Sequence, residues 1–312
     1  AAGLCYTSGT TGDPKGVLYS HRSNILHALA CNQVDCLGLG VADRVMPVVP
    51  MFHANGWSLP ISAPMAGATL VLPGAKLDGA SVHEIITEAQ VNFSAAVPTV
   101  WMMLLQHMEA THTRIDSLKR VVIGGSACPA AITQTYQEKY GVRVIHAWGM
   151  TEMSPVGTTY QRKPEIAALD AVAALALQAK QGCPPFTVEM KITDDEGRDL
   201  PWNGEVFGRL KVRGPSITRN YFKRDDEAVL DADGFFDTGD VATIDTHGFM
   251  EVTDRSKDVI KSGGEWISSI ALENAAVGYP GVAEAAVVAM YDPKWDERPL
   301  MILVMTPGAA AP

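Results

Sequence analysis

Arg120-Val121-Val122-Ile123-Gly124-Gly125 reads as a short apolar strand that stops at two glycines. The residues beyond it decide the fold. Residues 130–139 carry the spacing of an amphipathic helix, and residues 142–147 form a second apolar strand. The same alternation runs upstream, with strands at 45–49 and 93–97 and helices near 82–90 and 100–109. Short apolar strands separated by amphipathic helices are the signature of an α/β layer structure. After Gly182 the pattern changes to strands at 189–193, 208–212, 242–245 and 249–253, separated by turn signals such as Asp194-Asp195-Glu196-Gly197 and His247-Gly248. Beyond Asp254-Arg255-Ser256-Lys257 a helix near 269–277 and a strand at 283–289 open another α/β region. The sequence therefore predicts the α/β part of a large domain over 1–182, a β-rich subdomain of that domain over 183–256, and a hinge with an incomplete small α/β C-terminal domain over 257–312.

Composition narrows the function classes. With 312 residues, 47% of them hydrophobic, the chain can bury the core of one large or two smaller domains. Its net charge of -10, with Lys and Arg scattered, argues against a nucleic-acid groove, which needs a clustered basic face. The five cysteines, Cys5, Cys31, Cys36, Cys128 and Cys183, form no C-x-x-C pair and no cluster with histidine, which fits a reduced, cytoplasmic protein. The longest apolar candidate, residues 167–179, is interrupted by Asp170 and Gln178 and is too short to span a bilayer, so no membrane anchor is expected. No signal peptide is visible. The abrupt start, and the trailing Pro307-Gly308-Ala309-Ala310-Ala311-Pro312, read as a segment of a longer protein.

The chemistry concentrates first in Tyr6-Thr7-Ser8-Gly9-Thr10-Thr11-Gly12-Asp13-Pro14-Lys15-Gly16, which succeeds the apolar Leu4-Cys5. Glycines let backbone N–H groups approach phosphate oxygens, the hydroxyls of Thr7, Ser8, Thr10 and Thr11 donate further bonds, and Lys15 supplies a point charge. Pro14 stiffens the turn beside that lysine. This is not a Walker A loop, because Gly16 and Val17 come after Lys15 where that motif needs Ser or Thr for magnesium. A P-loop kinase or GTPase is thereby disfavoured.

The loop resembles the phosphate-binding signature of the adenylate-forming superfamily, which contains acyl-CoA synthetases, luciferases and peptide-synthetase adenylation domains. Further signatures occur in the family's order: Pro50-Met51-Phe52-His53-Ala54-Asn55-Gly56, Gly124-Gly125-Ser126-Ala127-Cys128-Pro129, Trp148-Gly149-Met150-Thr151-Glu152, Asp237-Thr238-Gly239-Asp240, and Asp254-Arg255-Ser256-Lys257-Asp258 with Lys261-Ser262-Gly263-Gly264-Glu265. The resemblance runs from Tyr6 to at least Pro299. It implies a large nucleotide-binding domain of sheets flanked by helices. Tyr19-Ser20-His21-Arg22-Ser23-Asn24, Thr151-Glu152-Met153-Ser154-Pro155 and Asp292-Pro293-Lys294-Trp295 look like the bacterial acyl-CoA ligases that act on 3-(methylthio)propionate and on other short- and medium-chain acids.

Carried over by resemblance, Lys15 and Thr151 are catalytic phosphate contacts and Glu152 is both catalytic and the ligand of Mg2+, a cation that favours carboxylate oxygen. The same resemblance assigns ATP and AMP to Thr7, Ser8, Gly9, Thr10, Thr11, Gly12, Gly125, Ser126, Ala127, Trp148, Gly149, Met150, Asp240 and Arg255. Trp148 is expected in the turn after a strand at 145–147, where α/β sheets bind ligands and an indole can stack on adenine. Asp240 is expected in a turn between strands, accepting both ribose hydroxyls. His53, Trp57, Gly124 and Pro155 are expected at the acyl site, the bulk of Trp57 favouring a short or medium acid. Taken alone, these residues have plainer readings: Thr151-Glu152 as a helix start, His53 as a packed histidine, Trp148 as a buried aromatic, Asp240 as a turn residue and Arg255 as a surface ion pair.

The activity so implied has two steps. The acid's carboxylate attacks the α-phosphate of ATP and expels pyrophosphate, a task of positioning and charge neutralisation needing no covalent nucleophile. Coenzyme A then takes the acyl group and AMP leaves. Lys257 is the expected hinge of the small domain, and Lys261, Gly263, Gly264 and Glu265 the loop that serves the thiol step. Two departures matter: nothing after Pro299 resembles the family's adenylation lysine, and the usual segment before the phosphate loop is absent. The alternatives are an amino-acid adenylation domain and a catalytically incomplete nucleotide-binding segment. Enzymes of this kind often pair as homodimers.

Overall fold

The computed structural model describes residues 1–7, 13–224, 228–255, 258–262, 265–277, 279, 281–306 and 308–309. By contacts the chain forms two compact units, one of residues 1–190 with 212–236, the other of residues 191–211 with 237–312.

The first unit begins with β1 (Gly3–Tyr6) and β2 (Gly16–Tyr19), which pair antiparallel. Next along the chain are α1 (His21–Cys31), β3 (Arg44–Pro47), α2 (Ala54–Trp57), α3 (Leu59–Met65), β4 (Thr69–Leu70), α4 (Gly79–Glu88), β5 (Phe93–Ala96), α5 (Pro98–Thr111), β6 (Arg120–Ile123), α6 (Ala130–Gln134), β7 (Arg143–Gly149), β8 (Val156–Thr159) and α7 (Ala171–Ala179). A six-stranded sheet of order β4-β3-β5-β6-β7-β8 is parallel except for β8, which runs antiparallel to β7 at the edge. Both faces are covered, and the period-two alternation of the strands shows how. Val121, Ile123 and Val144 pack with Val82 and Ile86 of α4 and Trp101, Leu104 and Met108 of α5. Val122, Ile145 and Ala147 point the other way, to Cys31 of α1 and to Leu59 and Ala63 of α3. Trp101 can be fully buried because its indole N–H reaches the carbonyls of Ala96 and Val122 at 3.2 and 3.1 Å.

Helix starts obey local chemistry. Ser20 and Ser23 form a reciprocal capping box on α1, and the Asp78 and Asp170 carboxylates accept the N–H groups of Ser81 and Ala173 at the heads of α4 and α7. Inside α1, the buried His27 accepts the Val156 N–H through Nε2 at 2.9 Å, tying the helix to β8. Burial pushes its pKa down to about 3, so the ring is neutral.

The second unit holds most of a four-stranded sheet of order β12-β11-β10-β9, built from β9 (Glu189–Thr193), β10 (Gly208–Arg213), β11 (Phe236–Ile244) and β12 (Met250–Arg255). Then come β13 (Ile260–Ser262), β14 (Glu265–Ile267), α8 (Ser269–Val277), β15 (Val282–Asp292) and β16 (Asp296–Met305), whose strands form a second sheet of order β14-β13-β16-β15. The buried Asp254 carboxylate accepts the Ser269 N–H at 2.6 Å, and Glu273 accepts the Val287 N–H at 2.9 Å, fixing α8 to β12 and to β15. The fold is α/β, with mixed sheets flanked by helices, as the sequence predicts. None of the five cysteines forms a disulfide, and all are buried. Among the described residues no helix is long and apolar enough to cross a membrane.

Candidate functional site

The β1–β2 hairpin presents the base of the glycine-rich loop. Thr7 donates its N–H to the Lys15 carbonyl at 2.9 Å, and the Lys15 N–H reaches back to Thr7 Oγ1 at 3.4 Å. Ser8, Gly9, Thr10, Thr11 and Gly12 lie outside the described residues. Lys15 Nζ stands 4.9 Å from the centre of the Tyr221 ring, a cation–π distance, and the next residue, Phe222, donates its N–H to the Gly16 carbonyl at 2.7 Å.

Tyr221 leads to Glu152. After β7 the chain makes a tight turn in which Met150 donates its N–H to the Pro155 carbonyl at 3.0 Å. A Cβ on Gly149 would lie 2.2 Å from that carbonyl oxygen, so only glycine fits there. The turn places Thr151 and Glu152 in a single 3₁₀ turn, both buried, with Glu152 only 6% exposed. A buried carboxylate needs partners. Glu152 Oε1 accepts the Tyr221 hydroxyl at 2.8 Å, its carbonyl accepts the Thr218 N–H at 2.8 Å, and the Thr151 carbonyl accepts the Tyr19 hydroxyl at 2.6 Å. Burial, reinforced by Cys5 and Glu152 nearby, pushes the Tyr19 phenol well above its ordinary pKa and keeps it a neutral donor.

The donor set decides which cation such a site suits. Among the described residues no three His, Cys, Asp or Glu side chains converge, which disfavours a metal caged by protein. One buried carboxylate, joined through Tyr221 to the lysine of a phosphate-type loop, fits Mg2+, which keeps most of its ligands as water and phosphate oxygen.

Of the residues expected at the acyl site, Trp57 and Gly124 are brought together. It closes α2, and its indole lies along the two glycines after β6: a Cβ on Gly124 would be 3.4 Å from Trp57 Cη2, and one on Gly125 would be 3.6 Å from Trp57 Cζ2 and 3.2 Å from Val97 Cγ1. Ser126 and Ala127 continue from this patch as exposed residues. Pro155 is buried in the Gly149 turn. His53 caps α2 and is exposed, like its neighbour Phe52 at 82%, so the packed-histidine reading does not hold.

Two placements correct the sequence reading. Trp148 is inside β7, not in the turn after it, because β8 pairs with β7 at Trp148↔Thr158 and carries the strand two residues further. Its ring packs on Gly157, where a Cβ would come within 2.4 Å of Cζ3. Asp240 likewise lies within β11 and is buried. The pairing of β11 with β12 sets Asp240 opposite Arg255, so the two expected ribose residues are cross-strand partners in the second unit. Lys261, in β13, is exposed and reaches Asp195 at 3.4 Å, a surface ion pair, while Glu265 begins β14. Lys257, Gly263 and Gly264 lie outside the described residues.

Sequence reasoning missed Tyr19, Tyr221 and Val97. No local pattern marks them: Tyr221 stands in the ordinary Asn220-Tyr221-Phe222, and only folding brings it to a carboxylate far back in the chain.

Comparison with known proteins gives the chain a family and relatives. Residues 1–222 match the family of AMP-binding enzymes, and residues 271–312 match the AMP-binding enzyme C-terminal domain. The chain is 51% identical over 308 residues to 3-methylmercaptopropionyl-CoA ligase of Ruegeria pomeroyi, covering 99% of this chain and 57% of the relative. It is also 51% identical over 309 residues to medium-chain-fatty-acid–CoA ligase of Ectopseudomonas oleovorans, covering 99% of this chain and 56% of the relative. Among solved structures, O-succinylbenzoate coenzyme A synthetase from Bacillus subtilis in complex with ATP and magnesium ion superposes with a TM-score of 0.83 at 31% identity, covering 99% of this chain and 61% of that one. The chain thus spans a little over half the length of these relatives.

Proposed function

The chain belongs to the AMP-binding enzyme family, and from that premise we propose that it is the greater part of the active site of an ATP-dependent, AMP-forming acid–thiol ligase. The enzyme activates a carboxylic acid as an acyl-adenylate and passes the acyl group to coenzyme A. The proposed acid is 3-(methylthio)propionate or another of short or medium chain, as the names of the half-identical relatives suggest.

The observation that carries this reading is the joining of Lys15 and the buried Glu152 through one tyrosine at the foot of the glycine-rich hairpin. That pairing suits a triphosphate with its metal. Glu152 would hold Mg2+, which neutralises the charge on the phosphates, while Lys15, Thr7 and Thr151 orient them. Trp148 and Gly125 to Ala127 are assigned to the nucleotide, and Asp240 and Arg255 to the ribose. Trp57, over Gly124, sets the length of the acyl pocket, to which His53 and Pro155 are also assigned. Lys257 is the proposed hinge, and Lys261, Gly263, Gly264 and Glu265 the thiol-step loop. The division into 1–182, 183–256 and 257–312, a cytoplasmic location and a homodimer belong to the same proposal.

The test is ATP/pyrophosphate exchange by the full-length protein over a panel of acids, then AMP release with and without coenzyme A. Exchange with 3-(methylthio)propionate, butyrate or hexanoate, and release that depends on coenzyme A, is expected. Exchange with amino acids alone, or no dependence on the thiol, would refute the proposal.

A further inference from the structure

We propose that Tyr221 is a positioning residue for the phosphate-transfer site, its hydroxyl orienting the Glu152 carboxylate toward the cation and its ring seating Lys15. The inference rests on the reading of Glu152 as the ligand of Mg2+.

Three contacts lead to it. The main chain at 151–152 is held from two sides, by the Tyr19 hydroxyl on the Thr151 carbonyl and the Thr218 N–H on the Glu152 carbonyl. That leaves rotation of the Glu152 side chain as the freedom still to be removed, and the Tyr221 hydroxyl on Oε1 at 2.8 Å removes it. Tyr221 is itself only 7% exposed, so the bond works in a poorly solvated setting where a donor to a carboxylate is strong. A carboxylate with one oxygen committed to a neutral donor presents the other in a fixed direction, the arrangement by which outer partners orient metal ligands. The ring of the same residue serves Lys15, whose ammonium is 4.9 Å from the ring centre, and the backbone bond from Phe222 to Gly16 keeps that ring against the hairpin. One side chain therefore sets the spacing between the cation ligand and the loop's charge.

The test uses the full-length protein with ATP, and Mn2+ as a paramagnetic probe whose binding is read by electron paramagnetic resonance, beside AMP binding without metal. Tyr221→Phe, which keeps the ring, is expected to weaken Mn2+ binding by about tenfold, the usual effect of losing an orienting partner. Its AMP binding without metal should equal that of the parent. Tyr221→Leu should add a rise of about two- to fivefold in KM for ATP, from the lost cation–π contact. Glu152→Gln separates the premise from the inference. If Glu152→Gln weakens Mn2+ binding and Tyr221→Phe does not, the positioning role falls while the metal-ligand reading stands. If neither variant changes Mn2+ binding, both fall. Loss of metal-free AMP binding in Tyr221→Phe would mean a role in the fold alone and would overturn the proposal.

Discussion

Glu152 and Gly149 owe their importance to opposite properties. Glu152 is a carboxylate taken out of water and given back a hydrogen bond by the Tyr221 hydroxyl, and Gly149 is the absence of a side chain where a carbonyl must pass. Replacing Gly149 by Ala puts a Cβ where the Pro155 oxygen lies, so the turn carrying Thr151 and Glu152 must open. A loss of roughly 3 kcal/mol or more is expected, at the high end for a single substitution. A urea melt unchanged from the parent would contradict it. Trp57 offers a gentler test, because its partly buried indole lies over Gly124 and Gly125 at the margin of the core. Trp57→Ala should move the ratio of kcat/KM for decanoate over butyrate toward the longer acid by about 10- to 100-fold, as expected when a pocket gains room for added methylenes. Steady-state kinetics on the two acids would check this, and an unchanged ratio would remove Trp57 from the acyl pocket.

Single elements carry the site by their pairing. β8 lengthens β7 and so moves Trp148 from an expected turn into a strand, while His27 on α1 closes the far side of β8. That histidine gives the element a pH response whose sign is set by burial. Its pKa falls from about 6.5 in the unfolded chain to about 3 in the folded one. A depressed value means that the unfolded chain binds the extra proton first, so the contribution is full above pH 6.5 and is lost as pH falls toward 3. The loss is on the order of a few kcal/mol. In His27→Gln, which can still accept the Val156 N–H, stability should decline less between pH 7 and pH 4.5 than in the parent. Parallel declines in urea melts would rule the histidine out as the source. Much at this scale was legible in advance: β9 and α8 begin and end where their periodicity and flanking turns predict. The β1–β2 hairpin and the length of β7 were not, because strand partners far apart in sequence define them.

At the scale of the molecule, β15 and β16 leave Val288, Met290, Leu300, Ile302 and Val304 substantially exposed, an uncommon load for one hairpin. The 312-residue segment by itself should therefore self-associate, which light scattering or analytical ultracentrifugation would detect as mass above that of a monomer. On the expectation that the adenylation lysine lies outside these residues, their acid-dependent pyrophosphate exchange should fall by roughly 10³-fold or more against the full-length protein, the scale of losing a group that acts in the transition state. Equal rates would refute this.

The sequence by itself determined the alternation of strands and helices, and with it the α/β class, since period and turn chemistry are local properties. It also determined the order of the nucleotide motifs, because each is a short run of adjacent residues. Only the tertiary structure decided that Asp240 faces Arg255 across two strands, that Trp57 lies over Gly124 and Gly125, and that Tyr221 joins Lys15 to Glu152. Those relations are set by sheet register and side-chain packing between residues far apart in the chain, where spacing along the sequence holds no information about distance.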